Sequence, residues 1–421
     1  MIFQTKKFSA AWDTWMYYWN GVFYLYYLIT ESSPGEGVGC AVSTDGVHFV
    51  DHGQVIKASD KMEFYLGTGS VWKAPGLEQS SLFFCNYSEW RRVEGRLRQT
   101  IFFAQSDDLI HWEKLGDAQP FLPDTRWYRE CLDEGARWDC IFPLQRQDGS
   151  YWGYWTAAPL DGPGVGFGES EDGITWKALP PPQIHLGSFS DEKEVEAGAA
   201  CAHGGKYYLL VGCYGHPDGV GIFVSDSPQG PFYPQEKGFA VFSNRSHVNG
   251  YFPRFLQYGK ELLVNFHQLE RRKNGKERFY TALAPLKAVE FEEGLLCLKW
   301  WKQNDCLLGD PLSRMESNCV ITGSLLPGET WVLPLEGGGS LQICRLKEGF
   351  FQYKRDDGTV EERIQRELIP ESQGQAQLLI GDTLTELYVG GYYVTCYTLR
   401  KTVKPAEIPE GLFCFRLKRD L

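Results

Sequence analysis

Ser43-Thr44-Asp45-Gly46-Val47-His48-Phe49 returns along the chain as Ser106-Asp107-Asp108-Leu109-Ile110-His111-Trp112 and as Ser170-Glu171-Asp172-Gly173-Ile174-Thr175-Trp176. A looser copy is Ser225-Asp226-Ser227-Pro228-Gln229-Gly230-Pro231-Phe232. The copies stand roughly sixty residues apart, a length that suits one four-stranded propeller blade with its loops. A second phase of the repeat lies upstream of each copy, where a tight turn precedes a strand of aromatic and aliphatic residues. Asn20-Gly21 precedes Val22 to Leu28, Asp148-Gly149 precedes Tyr151 to Trp155, Gly204-Gly205 precedes Tyr207 to Val211, and Tyr258-Gly259 precedes Leu262 to Phe266. The second unit carries a longer turn around Pro75-Gly76 before Leu82 to Cys85. Short alternating runs between Gly, Asn, Asp and Pro turns, with almost no helical period, mark an all-β chain. Five units end near Leu283-Ala284-Pro285.

Beyond residue 310 the rhythm tightens into hairpins: Thr330 to Leu333, Leu341 to Leu346, Phe350 to Lys354, Gln377 to Ile380, Glu386 to Val389, Tyr392 to Leu399 and Leu412 to Leu417. That density of short strands predicts a β-sandwich. The expected organisation is a five-bladed β-propeller over 1–295, a linker over 296–311 that packs between the domains through Trp300 and Trp301, and a C-terminal β-sandwich over 312–421.

The first strand of each propeller blade lines the central axis, so a residue at its start faces the funnel. Counting back from the hairpin glycines puts Asp13, Asp139 and Glu196 at one equivalent level in blades 1, 3 and 4. Blade 2 holds Gly67-Thr68-Gly69-Ser70 there, and blade 5 holds Tyr251 to Arg254. Acids gathered at one opening repel one another when ionised, which raises at least one pKa and supplies an acid/base pair near neutrality. Cleavage of a glycosidic bond needs such a pair, one group to protonate the leaving oxygen and one to act as nucleophile or base. Glu194 and Glu192 compete with Glu196 for its role. Trp12, Trp15, Trp72, Trp138 and Tyr251 flank the acids as candidate sugar-stacking rings, and Arg137 and Arg254 as their ion-pair partners. Gly162 to Gly168 reads as a loop over the cleft.

At these residues the chain resembles glycoside hydrolase family 32, the invertase and levanase group, with a weaker likeness to family 43. Asp13, in Trp12-Asp13-Thr14-Trp15 before an aromatic strand, is similar in position to that family's nucleophile. Asp139, in Arg137-Trp138-Asp139, matches its transition-state stabiliser, and Glu196, ahead of Cys201, its general acid. Gly67-Thr68-Gly69-Ser70 looks like the loop that grips the sugar. Leu379 to Gly391 is similar to a segment of that family's C-terminal sandwich. The resemblance implies a retaining, exo-acting hydrolase of small β-fructofuranosides. An inverting arabinofuranosidase or xylosidase, and a sugar-binding propeller without turnover, stay open as alternatives.

The remaining expectations come from composition. With 42 basic and 54 acidic side chains the net charge is −12, which repels nucleic acid over most of the surface; Arg271-Arg272-Lys273 is the one basic cluster. An aromatic content of 15%, with 14 Trp, favours a carbohydrate ligand. Twelve scattered cysteines without a paired spacing read as buried small hydrophobes in a reducing compartment. No run of about 18 apolar residues occurs. A cytoplasmic protein is expected, acting on a small oligosaccharide, with no membrane or nucleic-acid partner, no cofactor and no metal. Oligomeric state is not legible.

Overall fold

The computed structural model describes the chain apart from residues 1, 9–10, 30–35, 76–81, 188–194, 214–218, 236, 238–249, 272–276, 382–383, 400 and 419–421. Four blades are antiparallel sheets built in chain order. Blade 1 comprises Ala11–Trp19, Val22–Ile29, Gly37–Ser43 and Val50–Lys57. Blade 2 has an inner strand in two pieces, Met62–Gly67 and Val71–Lys73, followed by Phe83–Val93, Arg96–Ser106 and Glu113–Lys114. Blade 3 runs Trp138–Gln145, Tyr151–Ala157, Val165–Ser170 and Lys177–Leu179, and blade 4 Val195–His203, Lys206–Cys213, Val220–Ser225 and Tyr233–Pro234. Blade 5 pairs Tyr251–Tyr258 with Glu261–Arg271, whose two halves pair in turn with Lys287–Glu292 and Glu277–Leu283. The inner strands pack side by side around a ring in which blade 5 meets blade 1. The N-terminal segment closes that ring: the Ile2 amide donates to the Leu283 carbonyl (2.9 Å), the Leu283 amide donates to Phe3 (2.8 Å), and Ala11 pairs with Tyr280.

The repeated heptad is a turn with a mechanism. In blade 1 the Gly46 amide donates to Ser43 Oγ (2.9 Å), the Val47 and His48 amides donate to Asp45 Oδ1 (2.8 Å each), and Asp45 Oδ2 lies 2.7 Å from His48 Nδ1. Blade 2 repeats the pattern with Ser106, Asp108 and His111, and blade 3 with Ser170, Asp172 and Thr175. Each turn satisfies backbone donors between the third and outer strands of its blade.

Many of the large rings lie between blades. Trp15, Tyr26, Tyr87 and Phe102 share one seam. Trp72, Phe84, Phe103, Trp138, Trp155 and Trp176 share the next, and Tyr154, Phe167, Phe223 and Phe232 the third. Flat blades meeting at an angle leave wedge-shaped gaps that large rings fill, so the rings first read as a carbohydrate signal are chiefly core. Gly162 to Gly168 is likewise not simply a loop: Val165–Ser170 is the third strand of blade 3. Its Gly166 is needed because a Cβ there would sit 2.0 Å from the Trp155 ring nitrogen.

The expected linker over 296–311 is structured. Lys287–Glu292 belongs to the blade 5 sheet and turns back as Leu295–Trp300, which pairs through Lys299 with Tyr392 of the sandwich. A 3-10 helix, Lys302–Leu307, and a strand, Leu308–Leu312, follow, the latter pairing with Leu412–Leu417. Propeller and sandwich therefore share one continuous sheet. The second sandwich sheet, Thr330–Pro334, Ser340–Arg345, Phe350–Arg355 and Val360–Gln365, packs Leu333, Ile343, Phe351 and Tyr353 into the same core as Ile321, Leu378 and Leu387.

Candidate active site

In every blade the inner strand breaks step at the same level. Register shifts lie between Trp12 and Thr14, Asp139 and Phe142, Ala197 and Ala199, and Tyr251 and Arg254. Blade 2 is interrupted between Gly67 and Val71. Three of the irregularities carry non-glycine residues in the left-handed region, Asp13 at φ 41°, Cys140 at 52° and Phe252 at 52°. Such conformations are uncommon, and bulges serve to re-aim side chains at the rims of closed sheets. The blade 2 break presses against blade 3: a Cβ on Gly67 would come 2.4 Å from Asp139 Oδ1 and 2.3 Å from Ser88 Oγ, and one on Gly69 would come 2.0 Å from the Asn86 carbonyl.

This device gathers Asp13, Asp139 and Glu196, all buried, into one electrostatic group. Thr68 Oγ1 donates to Asp13 Oδ2 (2.5 Å), so the blade 2 loop holds the blade 1 acid. Ser88 Oγ donates to Asp139 Oδ1 (2.6 Å). Gln99 Nε2 donates to Ser88 Oγ (2.9 Å), while the Trp138 amide donates to Gln99 Oε1 (3.0 Å). Arg137 Nη2 donates to Glu196 Oε1 (2.7 Å) and stands 3.9 Å from Asp139 Oδ2, so one guanidinium serves acids of two blades. Arg254, fully buried, donates to the Gly198 carbonyl (2.6 Å) and lies over the Phe252 ring at 4.3 Å, which joins blade 5 to blade 4.

Burial first, then the Glu196 and Asp139 charges, push Asp13 up to about 8, against the opposing pull of the Thr68 hydroxyl and Arg254. Burial also pushes Asp139 up to about 6, restrained by Arg137 and Ser88. His267 Nε2 lies 3.7 Å from Asp13 Oδ1, but burial pushes this imidazole down to about 3, so it faces the acid as a neutral ring and not as an ion pair. The Tyr65 hydroxyl, near Arg137, Asp139 and Glu196, is pushed up to about 12, chiefly by burial.

The other expected site residues divide. Trp12 is partly exposed and stands edge-on to Tyr65 at 6.1 Å, on the rim. Trp15, Trp72 and Trp138 are corrections: each is core. Trp15 stacks on Tyr26 (5.7 Å), Trp72 packs against Trp176, and Trp138 packs against Phe121 and Trp155 while its Nε1 donates to the Phe121 carbonyl. Two parity rules explain it. Trp138 precedes Asp139 on one strand and faces the opposite way. The bulge at Asp13 adds one residue, so Trp15 no longer shares the acid's face. Tyr251 opens the inner strand of blade 5, but its side chain lies outside the described residues, as do Glu192 and Glu194. Sequence reasoning missed Tyr65, Ser88 and Gln99. Ser88 and Gln99 sit on the second and third strands of blade 2, where no local pattern marks them.

No protein-family model and no curated protein matches the chain. Solved structures do. Sucrose-6-phosphate hydrolase from Lactobacillus gasseri superposes with a TM-score of 0.74 at 15% identity, over 98% of this chain and 91% of that one. A family 32 β-fructofuranosidase from Bombyx mori gives 0.74 at 14% identity, over 99% and 93%. A thermostable family-43 glycoside hydrolase gives 0.51 at 17% identity, over 70% of this chain and 94% of that one. The fold is thus that of a propeller with an appended sandwich, with a family-43-like propeller as the lesser likeness.

Proposed function

We propose that this chain is a retaining, exo-acting glycosidase of small β-fructofuranosides. The observation that carries the reading is the set of three acids delivered by strand irregularities of three blades to one group, each acid held by a partner from a neighbouring blade. Asp13 attacks the anomeric carbon, forming a glycosyl ester as the bond to the leaving oxygen breaks. Glu196 gives that oxygen its proton and then takes one from water, whose oxygen releases the sugar and frees Asp13. Asp139, fixed by Ser88 and Arg137, accepts hydrogen bonds from ring hydroxyls as positive charge builds on the sugar.

The electrostatics adds a condition. With Asp13 pushed up to about 8, this acid holds a proton in the resting group near neutral pH, whereas a nucleophile has to be ionised. Sugar binding therefore has to be coupled to loss of that proton from Asp13, and a pH profile of turnover would belong to the group as a whole.

The test is turnover of sucrose, sucrose 6-phosphate, short fructans, arabinofuranosides and xylosides by the parent chain, Asp13→Asn and Glu196→Gln. Turnover of a fructofuranoside, lost in both variants, supports the reading. The family-43 likeness favours an inverting arabinofuranosidase or xylosidase as second reading; the configuration of the first-formed product separates the two. Binding of sugars with no turnover in the parent would replace both with a sugar-binding propeller.

A further inference from the structure

Among the described residues, one place brings three metal-ligating side chains together: Asp45, His48 and Cys306, whose ligand atoms lie within 4.8 Å of one another. Asp45 and His48 belong to the turn that closes blade 1. Cys306 comes from the 3-10 helix Lys302–Leu307, between the two domains. The two segments are already pressed together, since a Cβ on Gly46 would come 2.7 Å from the Trp301 ring, and Trp301 is buried against Phe23 and Tyr258. Asp45 is fixed by the Ser43 hydroxyl and two amides on Oδ1, and its Oδ2 orients His48 at 2.7 Å.

A comparison within the molecule distinguishes this cluster from an ordinary turn. Blade 2 builds the same turn with Asp108 and His111, yet His111 is 85% exposed, whereas His48 is 13% exposed and faces a thiol. Of the described cysteines with a stated environment, Cys306 alone is exposed; the others are buried. Carboxylate, imidazole and thiolate are the donor types of a tetrahedral zinc site, with bonds of about 2.0 to 2.3 Å.

We infer that Asp45, His48 and Cys306 bind a zinc-class divalent ion that ties the outer turn of blade 1 to the segment between the domains. Tetrahedral spacing, about 3.3 to 3.7 Å between ligand atoms, is reached when the Asp45–His48 pair exchanges its 2.7 Å hydrogen bond for bonds to the ion and opens, while the wider separations, up to 4.8 Å, close by about an ångström. The thiol releases its proton to solvent on binding, and water takes the fourth position. The ion is remote from the funnel acids in chain and function: it fastens the seam and takes no part in bond cleavage.

Chelator-treated full-length protein titrated with Co2+ tests this. The expected result is a near-ultraviolet thiolate-to-cobalt charge-transfer band saturating at one ion per chain, displaced by Zn2+, with Zn2+ raising the thermal midpoint. Cys306→Ser, at an exposed position that leaves the core intact, abolishes both the band and the Zn2+ shift. His48→Gln weakens Co2+ binding at least tenfold, while His111→Gln, the same change in the blade 2 turn, leaves it unchanged. Absence of the band at millimolar Co2+, or its survival in Cys306→Ser, overturns the assignment. Equal loss in His48→Gln and His111→Gln does so as well.

Discussion

Of the buried groups of charged side chains among the described residues, two are built on opposite principles. At the domain junction Lys287 Nζ donates to both oxygens of Glu386 (2.7 and 2.9 Å) and to the Pro285 carbonyl (2.6 Å). Tyr388 donates to the same carboxylate (2.8 Å), and the Phe266 ring lies 4.1 Å from the ammonium. One cation meets one anion, with the hydrogen bonds of both supplied. In the funnel, three acids meet two arginines at strand irregularities, and two of the acids are pushed to about 8 and about 6. Burial alone does not mark a site. An excess of one charge is what sets the proposed site apart.

The comparison breaks most visibly on activity. Asp13→Asn and Glu196→Gln should each lower kcat/KM by roughly a thousandfold or more without lowering the unfolding midpoint, whereas Glu386→Gln should leave kcat of the folded protein within about twofold. Stability should show the reverse: removing one partner of the matched pair, in Glu386→Gln or Lys287→Met, costs about 3 to 5 kcal/mol by denaturant titration. The double change Lys287→Met with Glu386→Leu should recover most of that loss, because no unpaired charge is left behind.

A subtler difference lies in the dependence on pH. A carboxyl whose folded pKa is raised adds stability below its unfolded value near 4 and loses it as pH climbs through the folded value. Asp13 should therefore make the parent less stable from about pH 4 to about pH 8, by up to a few kcal/mol. Asp13→Asn removes that slope, so its midpoint should match the parent at pH 4 and exceed it at pH 8. An unchanged slope in the variant would show that Asp13 ionises freely. The smallest effect is expected from Ser88→Ala, which removes one hydrogen bond from Asp139: a loss of roughly tenfold in kcat and an acid limb moved to higher pH, since that bond favours the charged form.

What was legible in the sequence follows from the range of each signal. The Ser-x-Asp turn is closed within six residues, so its recurrence announces the blades. The distance from an inner strand's start to its hairpin is set by blade width, so counting back from Gly21, Gly149 and Gly205 finds the three acids. The bulges are set by contacts between blades and leave no local mark, which is why Trp15 reads in the sequence as a neighbour of the acids although it belongs to a seam. Ser88 reaches Asp139 from another strand, Gln99 braces Ser88 and the Trp138 amide from a third, and Cys306 meets His48 only through the fold. The segment around residue 296 resembled a linker because a shared sheet alternates no differently from the end of a domain.

That shared sheet has a consequence for how the protein can be cut. Lys287–Glu292 covers the blade 5 strand Glu261–Arg271, and Leu295–Trp300 reaches the sandwich. A fragment ending before residue 287 would bare a row of unpaired amides and carbonyls beside apolar Leu262, Leu263 and Val264, an open template for another copy to add itself. The propeller can thus be released only with Lys287–Glu292 attached. Cut before that strand, it should polymerise through the bared edge, so this one strand acts as its guard against self-association.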